Sequence, residues 1–244
     1  MIMTNQMIED ETFFQERFNT GTSWTHNEFF EKNGYLVIKN LWDPQELYRP
    51  VPEERGQINY WGTKLDQFTY SALEQQVEGS LACYWHPQYR SIHSGVRKKL
   101  EKSIGRKLYN TYYYDRFYFP GQELTKHTDR PSCEISVSIH IGTNLTGENA
   151  KWPFKIKTPD TYTDKHKNVV LVPGEERSLS LEPGDGLLYK GCERPHWREA
   201  MPTEYTKKWF KKIEKDGLYY HQIFFHYVLA DGERSHYAND AIIF

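Results

Sequence analysis

Residues 134–141, EISVSIHI, alternate polar and apolar side chains without interruption. Because successive side chains of a β-strand point to opposite faces, this segment predicts a strand with Ile and Val on one face and Ser and His on the other. Further β-prone segments occur along the chain: LYNTYYYDRFYF (108–119), NVVLVP (168–173), RSLSLEP (177–183), GLLYKG (186–191) and GLYYHQIFFHYVLAD (217–231). Short strands separated by Pro-Gly turns predict a mainly β protein built as a two-sheet jelly roll or barrel.

The residues before this β-rich part have a different character, and we expect residues 1–103 to form a cover of helices and loops. Residues 104–244 would form the β core, with the N-terminal helices packed on one of its sheets, so that residues 1–244 make a single domain. The cover has three recognisable elements, which are a capped helix, a buried strand and a basic surface helix: HNEFFEKNG (26–34), YLVI (35–38) and IHSGVRKKLEKS (92–103).

Composition narrows the class of protein. The 244 residues carry a formal net charge of -2, so bulk electrostatics favour neither a membrane nor a nucleic-acid partner. The three cysteines, at 83, 133 and 192, form no CxxC pair, which argues against a disulfide framework and for a reducing compartment. The N-terminal residues show no signal-peptide pattern, so we expect a cytoplasmic protein.

Two imidazoles and one carboxylate match the ligand set of a mononuclear iron(II) site. His127 and Asp129 lie two residues apart in HTD, so that in a strand both side chains would point the same way. His196, in PHWR, would come from a strand across the barrel. Such a set occupies one face of an octahedral metal and leaves three positions open for oxygen chemistry. The alternative is a turn histidine beside a capping aspartate, since HxD often occurs by chance.

Three stretches of the chain resemble the 2-oxoglutarate- and iron(II)-dependent oxygenases, particularly their prolyl-hydroxylase-like branch. HNEFFEKNGYLVIKNLWDPQEL (26–47) is also similar to the helix-then-strand entry of these enzymes, although this part of the likeness is weaker. The three stretches are YFPGQELTKHTDR with the following PSCE (118–134), LEPGDGLLY continuing to the distal histidine (181–196), and YYHQIFFHY (219–227).

The resemblance implies a double-stranded β-helix, related to cupins, in which His127, Asp129 and His196 hold Fe(II) and are the catalytic residues. It also implies 2-oxoglutarate and O2 as co-substrates, with ascorbate as a candidate reductant. Oxidative decarboxylation of 2-oxoglutarate to succinate and CO2 would be coupled to hydroxylation of an unactivated C–H bond. Because Asp129 is present where the halogenase relatives carry a small residue, hydroxylation is the expected outcome.

The distal carboxylate of 2-oxoglutarate needs a cation, best a bidentate arginine. In the family this cation usually opens the last barrel strand, but here the segment PTEYTKKWFKKIEKDG (202–217) intervenes. We expect Arg198 to take the role, because it lies two residues past His196 and would share its side of a strand. The alternative is an exposed surface arginine or one in a salt bridge to Glu193 or Glu199, and Lys215 is the second candidate.

Several other polar side chains are candidates for the pocket. Tyr118 lies where relatives often supply a phenol to the co-substrate, and Tyr112 is a further cofactor-binding candidate, although either could be a packing residue. His140 lies on the polar face of its strand, where a core role is the simpler interpretation. Arg130 could brace the metal carboxylate, and His221 could point inward from the closing strand.

Lysines recur three and four residues apart between 207 and 215, with Trp209, Phe210 and Ile213 among them. This spacing predicts an amphipathic helix with a basic face. Such a charge run is usually a solvated surface, and the alternative is a lid or docking surface for an acidic substrate or a nucleic acid.

A non-catalytic, cupin-like protein that binds a metal or a small molecule is the alternative to an enzyme. The substrate of the enzyme is also left open, because members of the resembled family act on peptidyl residues, prolyl residues among them, or on small metabolites. The irregular stretch 50–90 could form an aromatic rim that selects the substrate, through Tyr60, Trp61, Tyr70, Tyr84 and Trp85.

Overall fold

Two antiparallel β-sheets form the body of the protein. The computed structural model describes residues 26–52, 76–165 and 168–239, so Tyr60, Trp61 and Tyr70 of the expected aromatic rim lie outside the described residues. The strands are β1 (Tyr35–Ile38), β2 (Leu81–Tyr84), β3 (Leu108–Tyr118), β4 (Leu124–His127), β5 (Ile135–Thr143), β6 (Phe154–Lys157), β7 (Thr161–Lys165), β8 (Asn168–Val172), β9 (Glu176–Leu179), β10 (Gly186–Tyr189), β11 (His196–Arg198), β12 (Tyr205–Lys208), β13 (Lys211–Glu214) and β14 (Tyr220–Leu229).

The larger sheet has six strands in the order β1-β10-β5-β14-β3-β2, and the smaller sheet has four in the order β4-β11-β6-β9. Neighbours in each sheet come from distant parts of the chain, as a jelly roll requires. The predicted fold class, a mainly β double-stranded β-helix with N-terminal helices on one sheet, is confirmed.

Among the described residues, three α-helices pack against the larger sheet: α1 (His26–Asn33), α2 (Pro44–Leu47) and α3 (Tyr89–Ile104). The basic helix expected at 92–103 is therefore present and slightly longer. It ends at Gly105, whose positive φ of 66° places it in the left-handed region that closes many helices. Asp43 caps α2 by accepting a hydrogen bond from the amide of Gln45.

The alternation in β5 separates two environments. Ile135, Val137, Ile139 and Ile141 join the apolar cluster that also contains residues of all three helices. Ser136, Ser138 and His140 point the other way, and each is 1% exposed or less. Ser136 and Ser138 bond to the buried side chains of His226 and Gln222, and His140 bonds through Nδ1 to the Leu181 carbonyl.

Two segments depart from their predicted structure. The helix predicted around 207–215 is wrong, because β12 and β13 pair as a two-stranded hairpin there. The sequence Lys-Lys-Trp-Phe-Lys-Lys is symmetric about its aromatic pair, which forms the two-residue turn, and the side chains of Trp209 and Phe210 stay exposed rather than packing as the apolar face of a helix. The strand predicted at 168–173 exists as β8, but it pairs with β7 outside both barrel sheets.

None of the helices in the described ranges is long and apolar enough to cross a membrane.

Candidate metal centre

The two histidines of the expected ligand set face each other across a strand pair. His127 is the last residue of β4, and His196 is the first residue of β11. The two strands are antiparallel neighbours, and His127 and His196 are direct partners in their register. Directly opposed side chains in an antiparallel pair lie close together, and the two imidazole centroids are 4.3 Å apart.

Asp129 completes the set from the loop that follows β4. Its amide donates to the carbonyl of Gly191 at 2.9 Å, which fixes the loop against the end of the neighbouring β10–β11 connection. Its Oδ1 atom lies 3.5 Å from His127 Nε2 and 3.4 Å from His196 Nε2. The ligand atoms of the three residues all lie within 4.8 Å of one another, close enough to share one ion.

Hydrogen bonds orient both imidazoles for metal binding. His127 Nδ1 lies 2.8 Å from the Thr125 carbonyl, and His196 Nδ1 lies 2.9 Å from the Arg194 carbonyl. A carbonyl can only accept, so each Nδ1 carries the proton and each Nε2 presents its lone pair toward Asp129. Partners of this kind on the distal ring nitrogen are typical of histidines that bind metals. The donor set of two neutral imidazoles and a carboxylate therefore fits a divalent transition metal.

The other oxygen of the Asp129 carboxylate is held by a serine hydroxyl, which in turn contacts a third histidine. Ser136 Oγ donates to Asp129 Oδ2 at 2.9 Å, and Ser136 Oγ also lies 2.9 Å from His226 Nδ1. Since the hydroxyl proton is directed at Asp129, the histidine donates to the serine. Burial lowers the pKa of His226 to about 4, so that it is neutral. Burial raises the pKa of the Asp129 carboxyl, whereas positive charge on the neighbouring His196 and His127, present only when they are protonated, would hold it well below its usual range.

Gly191 makes room for this carboxylate. A Cβ atom at this position would overlap Asp129 Oδ2 and the Cys133 carbonyl, and would lie 2.8 Å from Ser136 Oγ. Any side chain would therefore push the carboxylate away from the two imidazoles, which explains the glycine by packing alone.

Gln76 lies on the open side of the site. Its side-chain nitrogen is 2.8 Å from His127 Nε2, and its oxygen accepts from Arg116 Nη2 at 3.1 Å. Because His127 Nε2 is the metal-facing atom, the amide must turn aside before an ion can bind there. Gln76 therefore belongs to the wall of the site, and nothing in the sequence had singled it out.

Arg198 is buried between the two sheets, with 1% of its surface exposed. Its Nη1 donates to the Trp152 carbonyl, and its guanidinium carbon lies 4.5 Å from the Trp152 ring and 4.9 Å from the Tyr220 ring. Its Nε and Nη2 atoms have no hydrogen-bond partner among the described residues. These two atoms form one edge of the guanidinium, the edge that binds a carboxylate with two hydrogen bonds.

Other polar groups with unused hydrogen-bonding capacity lie beside Arg198. The hydroxyl of Tyr220 and the Nε2 atom of His140 are buried and have no partner within the described part of the chain. The two rings stack at 4.1 Å, and His140 Nδ1 lies 2.8 Å from the Leu181 carbonyl. Burial lowers the pKa of His140 to about 4. The uncharged His140 therefore adds no positive charge beside Arg198.

The two tyrosine candidates lie at opposite ends of the site. Tyr118 packs edge-on against Trp152 at 5.2 Å, and its hydroxyl accepts from Arg116 at 3.1 Å, so it belongs to the surroundings of Arg198. Tyr112 stacks on His226 at 4.5 Å, and its hydroxyl lies 3.2 Å from Cys133 Sγ, so it belongs to the metal end.

Lys215 and His221 are not brought to the site. Lys215 Nζ lies 3.1 Å from a Glu204 carboxylate oxygen and 3.4 Å from the Asn144 carbonyl. His221 bonds to Asp115 Oδ2 at 2.8 Å and stacks on Phe117 at 3.7 Å. The expectation that His221 points inward is wrong, because inward positions on β14 alternate from Tyr220 and His221 has the opposite parity.

Arg130 lies over the Tyr112 ring, with 4.5 Å between its guanidinium carbon and the ring centroid. Its Nε is 3.5 Å from the Tyr112 hydroxyl. It thus packs beside the metal end, against the Tyr112 ring that stacks on His226.

Sequence comparison finds no protein-family model and no curated protein that matches this chain. Comparison with solved structures finds similar folds. A 2OG-Fe(II) oxygenase family oxidoreductase from Burkholderia pseudomallei matches with a TM-score of 0.51 and 8% identity over 83% of this chain and 87% of that one. The fold is that of the 2-oxoglutarate/iron(II) oxygenases.

Two further structures extend this comparison. The non-heme alpha-ketoglutarate-dependent epimerase SnoN from nogalamycin biosynthesis matches with a TM-score of 0.50 and 10% identity over 82% of this chain and 80% of that one. A Pseudomonas putida prolyl-4-hydroxylase matches with a TM-score of 0.48 and 10% identity over 82% and 96% of the two chains. At such low identity the two matches with TM-scores of 0.50 and 0.51 show the architecture alone, and the chemistry must be argued from the residues of the site.

Proposed function

We propose that this chain is an Fe(II)- and 2-oxoglutarate-dependent dioxygenase that hydroxylates an unactivated C–H bond, with succinate and CO2 as co-products. The observation that carries the proposal is the coincidence of two features in one site. Three ligand atoms lie within 4.8 Å of one another, and a buried guanidinium with an open edge lies between the same two sheets.

The metal end of the site binds the iron. His127 and His196 each hold a proton on Nδ1, which keeps Nε2 available as a ligand, and Ser136 fixes the orientation of the Asp129 carboxylate. Iron bound here would supply the activation of O2 and of the 2-oxo acid. The protein would contribute the two imidazole nitrogens and the carboxylate oxygen that hold it, which lie within 4.8 Å of one another.

The other end binds the co-substrate by its distal carboxylate. Arg198 offers Nε and Nη2 to the two carboxylate oxygens, and the Tyr220 hydroxyl is a further donor beside them. The rings of Trp152, Phe154 and Tyr220 surround the guanidinium and exclude water, which strengthens a charge-assisted hydrogen bond. In contrast, a protein that only bound a metal would not need a buried arginine with two unpaired hydrogen-bond donors.

The substrate proposal is less specific. A peptidyl residue, with prolyl as one case, or a small metabolite would enter from the open side where Gln76 lies, and ascorbate would serve as the reductant. The similarity to SnoN, named as an epimerase, means that this fold alone does not select hydroxylation. Identification of the product by mass spectrometry is therefore part of the test.

The first test is binding and uncoupled turnover in the purified chain. Under anaerobic conditions Fe(II) with 2-oxoglutarate should give a weak visible charge-transfer absorption, and under air the chain should form succinate slowly without added substrate. His127→Ala and His196→Ala should abolish both signals, whereas His236→Ala, an exposed histidine outside the site, should leave them unchanged. Retention of succinate formation in either ligand variant would refute the proposal. Metal binding without the absorption band would favour the non-catalytic alternative.

A further inference from the structure

The β12–β13 hairpin has solvent-exposed aromatic side chains at its tip. Trp209 and Phe210 alone connect the two strands, and they are 89% and 103% exposed. Tyr205 and Ile213, further down the hairpin, are about half exposed. Clustered large apolar side chains in contact with water are rare on proteins and mark places where something else covers them.

Four lysines surround the base of this aromatic tip. Lys207 is the direct cross-strand partner of Lys212, and Lys208 is the direct partner of Lys211. Like charges that oppose each other across two strands destabilise the pair. Within the described residues none of these four lysines forms an ion pair, in contrast to nearby Lys215, which is paired with Glu204. The hairpin therefore concentrates positive charge that an anionic partner would compensate.

The two lysine pairs lie on opposite faces of the hairpin. Adjacent residues in a strand point to opposite sides, so the pair of Lys207 and Lys212 projects from one face and the pair of Lys208 and Lys211 from the other. Along the hairpin the two pairs are separated by the rise of one residue, about 3.4 Å. All four charges thus form a ring at nearly one depth behind the aromatic tip.

We propose that the β12–β13 hairpin docks end-on onto an anionic membrane surface. Trp209 and Phe210 would enter the interface between headgroups and acyl chains, where aromatic side chains are favoured. The ring of lysines would then lie at the level of the lipid phosphates, and each lysine near such a surface adds to the affinity. The net charge of -2 conceals this patch, because it averages the hairpin with the acidic remainder of the chain.

The distribution of charge favours a lipid surface over a nucleic acid. Proteins that bind single-stranded nucleic acid use a basic groove along one side, with aromatic side chains as stacking platforms inside it. Here the charges face both sides of a narrow ribbon, and the aromatic side chains extend past its end. A pocket of about 360 Å³ between tip and base, lined by Tyr205, Lys207, Trp209, Phe210, Lys211 and Lys212, has room for a headgroup.

The backbone conformation at the tip suggests a substitution that tests the proposal without disturbing the fold. Trp209 has a φ of 59°, in the left-handed region where a two-residue hairpin loop normally places glycine. A tryptophan there costs conformational energy, and with 89% of its surface exposed it recovers little of that energy by packing. Trp209→Gly should therefore fold at least as well as the parent chain, while removing the aromatic side chain that the proposal requires.

The test is co-sedimentation of the full chain with vesicles of phosphatidylcholine alone or mixed with phosphatidylglycerol, at low and at high salt. The parent chain should bind only the mixed vesicles, and less at high salt. Lys208→Gln combined with Lys211→Gln should weaken binding about twentyfold, from a contribution of about fivefold for each lysine. Lys98→Gln combined with Lys102→Gln, on exposed positions of α3, changes the net charge equally and should have no effect.

The remaining outcomes are decisive as well. Trp209→Gly should lose most of the vesicle binding with an unchanged or higher thermal midpoint, and full retention of binding would overturn the proposal. So would equal binding to the two vesicle types. Binding of a single-stranded oligonucleotide with the same lysine dependence, and no vesicle binding, would assign the hairpin to a nucleic acid instead. None of these measurements needs iron or 2-oxoglutarate, so their failure leaves the oxygenase proposal intact.

Discussion

The metal end and the Arg198 end of the site differ in how completely the protein satisfies its own polar groups. At the metal end both imidazole Nδ1 atoms donate to carbonyls and Asp129 accepts from Ser136, although His226, which bonds to that serine, has no described partner for its Nε2 atom. At the other end Arg198 retains two unused donors, and the Tyr220 hydroxyl is also without a described partner. A buried guanidinium with unpaired donors is costly unless a ligand pairs with it. The difference indicates that one end is organised in advance, while the other is completed by the molecule it binds.

The largest expected effect tests the Arg198 end. Arg198→Met keeps the length and packing of the side chain but removes the guanidinium, so the affinity for 2-oxoglutarate should fall about a hundredfold or more, as expected for a lost buried charge pair. Anaerobic calorimetry with Fe(II) present would measure it, and the iron affinity itself should stay within a factor of a few.

Arg106→Met is the matched control, since Arg106 forms a surface ion pair with Asp231 at 2.8 Å. It should change neither affinity. An unchanged 2-oxoglutarate affinity in Arg198→Met would remove the distinction between the two ends, because the open edge would then have no ligand.

Gly191→Ala should impair the metal end, whereas Arg198→Met impairs the Arg198 end. The added methyl group would displace the Asp129 carboxylate, so iron affinity should fall about ten- to a hundredfold, and overpacking should lower the free energy of unfolding by about 1–3 kcal/mol. Gly142→Ala is the control, because a Cβ there meets no atom within 4 Å. If Gly191→Ala bound iron normally, Asp129 would not be a ligand in the position the structure gives it.

A smaller effect is expected from Ser136→Ala. Loss of the hydroxyl removes the hydrogen bond that orients Asp129, and the iron affinity should fall about tenfold. Ser138→Ala, two residues along the same face, removes a hydroxyl that accepts from Gln222 and should leave the iron affinity unchanged. Equal losses in the two variants would mean that the strand, rather than the Ser136 hydroxyl, maintains the metal end. Iron titration monitored by the charge-transfer absorption would compare them.

The two ends also differ in how much of them the sequence predicts. His127 and Asp129 belong to one short motif, and His196 to a second, so residue type and spacing are enough to propose them. Their cross-strand pairing, with His127 opposite His196, is then a consequence of strand order. The sequence alone does not identify Gly191 and Ser136 as site residues, since their roles depend on where two loops and a strand meet in space.

At the Arg198 end, the sequence proposes Arg198 itself but not the residues around it. Parity along a strand places Arg198 on the same side as His196, but the Tyr220 hydroxyl approaches from β14 by a pairing that no local pattern encodes. The same limit explains why the sequence predicted a helix where the β12–β13 hairpin lies. Lysines three and four apart fit a helix, and only the symmetry about Trp209 and Phe210 shows that two strands are also possible.

The smallest expected effect concerns Lys215, the second sequence candidate for the cation at the Arg198 end. Its amine is paired with Glu204, a partly exposed pair whose loss should cost at most about 1 kcal/mol. Lys215→Gln should therefore lower the thermal midpoint slightly, and leave the affinity for 2-oxoglutarate unchanged in the same calorimetric titration. A tenfold loss of that affinity would show that the co-substrate reaches toward the base of the β12–β13 hairpin. The open edge of Arg198 would then have to bind the primary substrate, and the roles of the two cations would be exchanged.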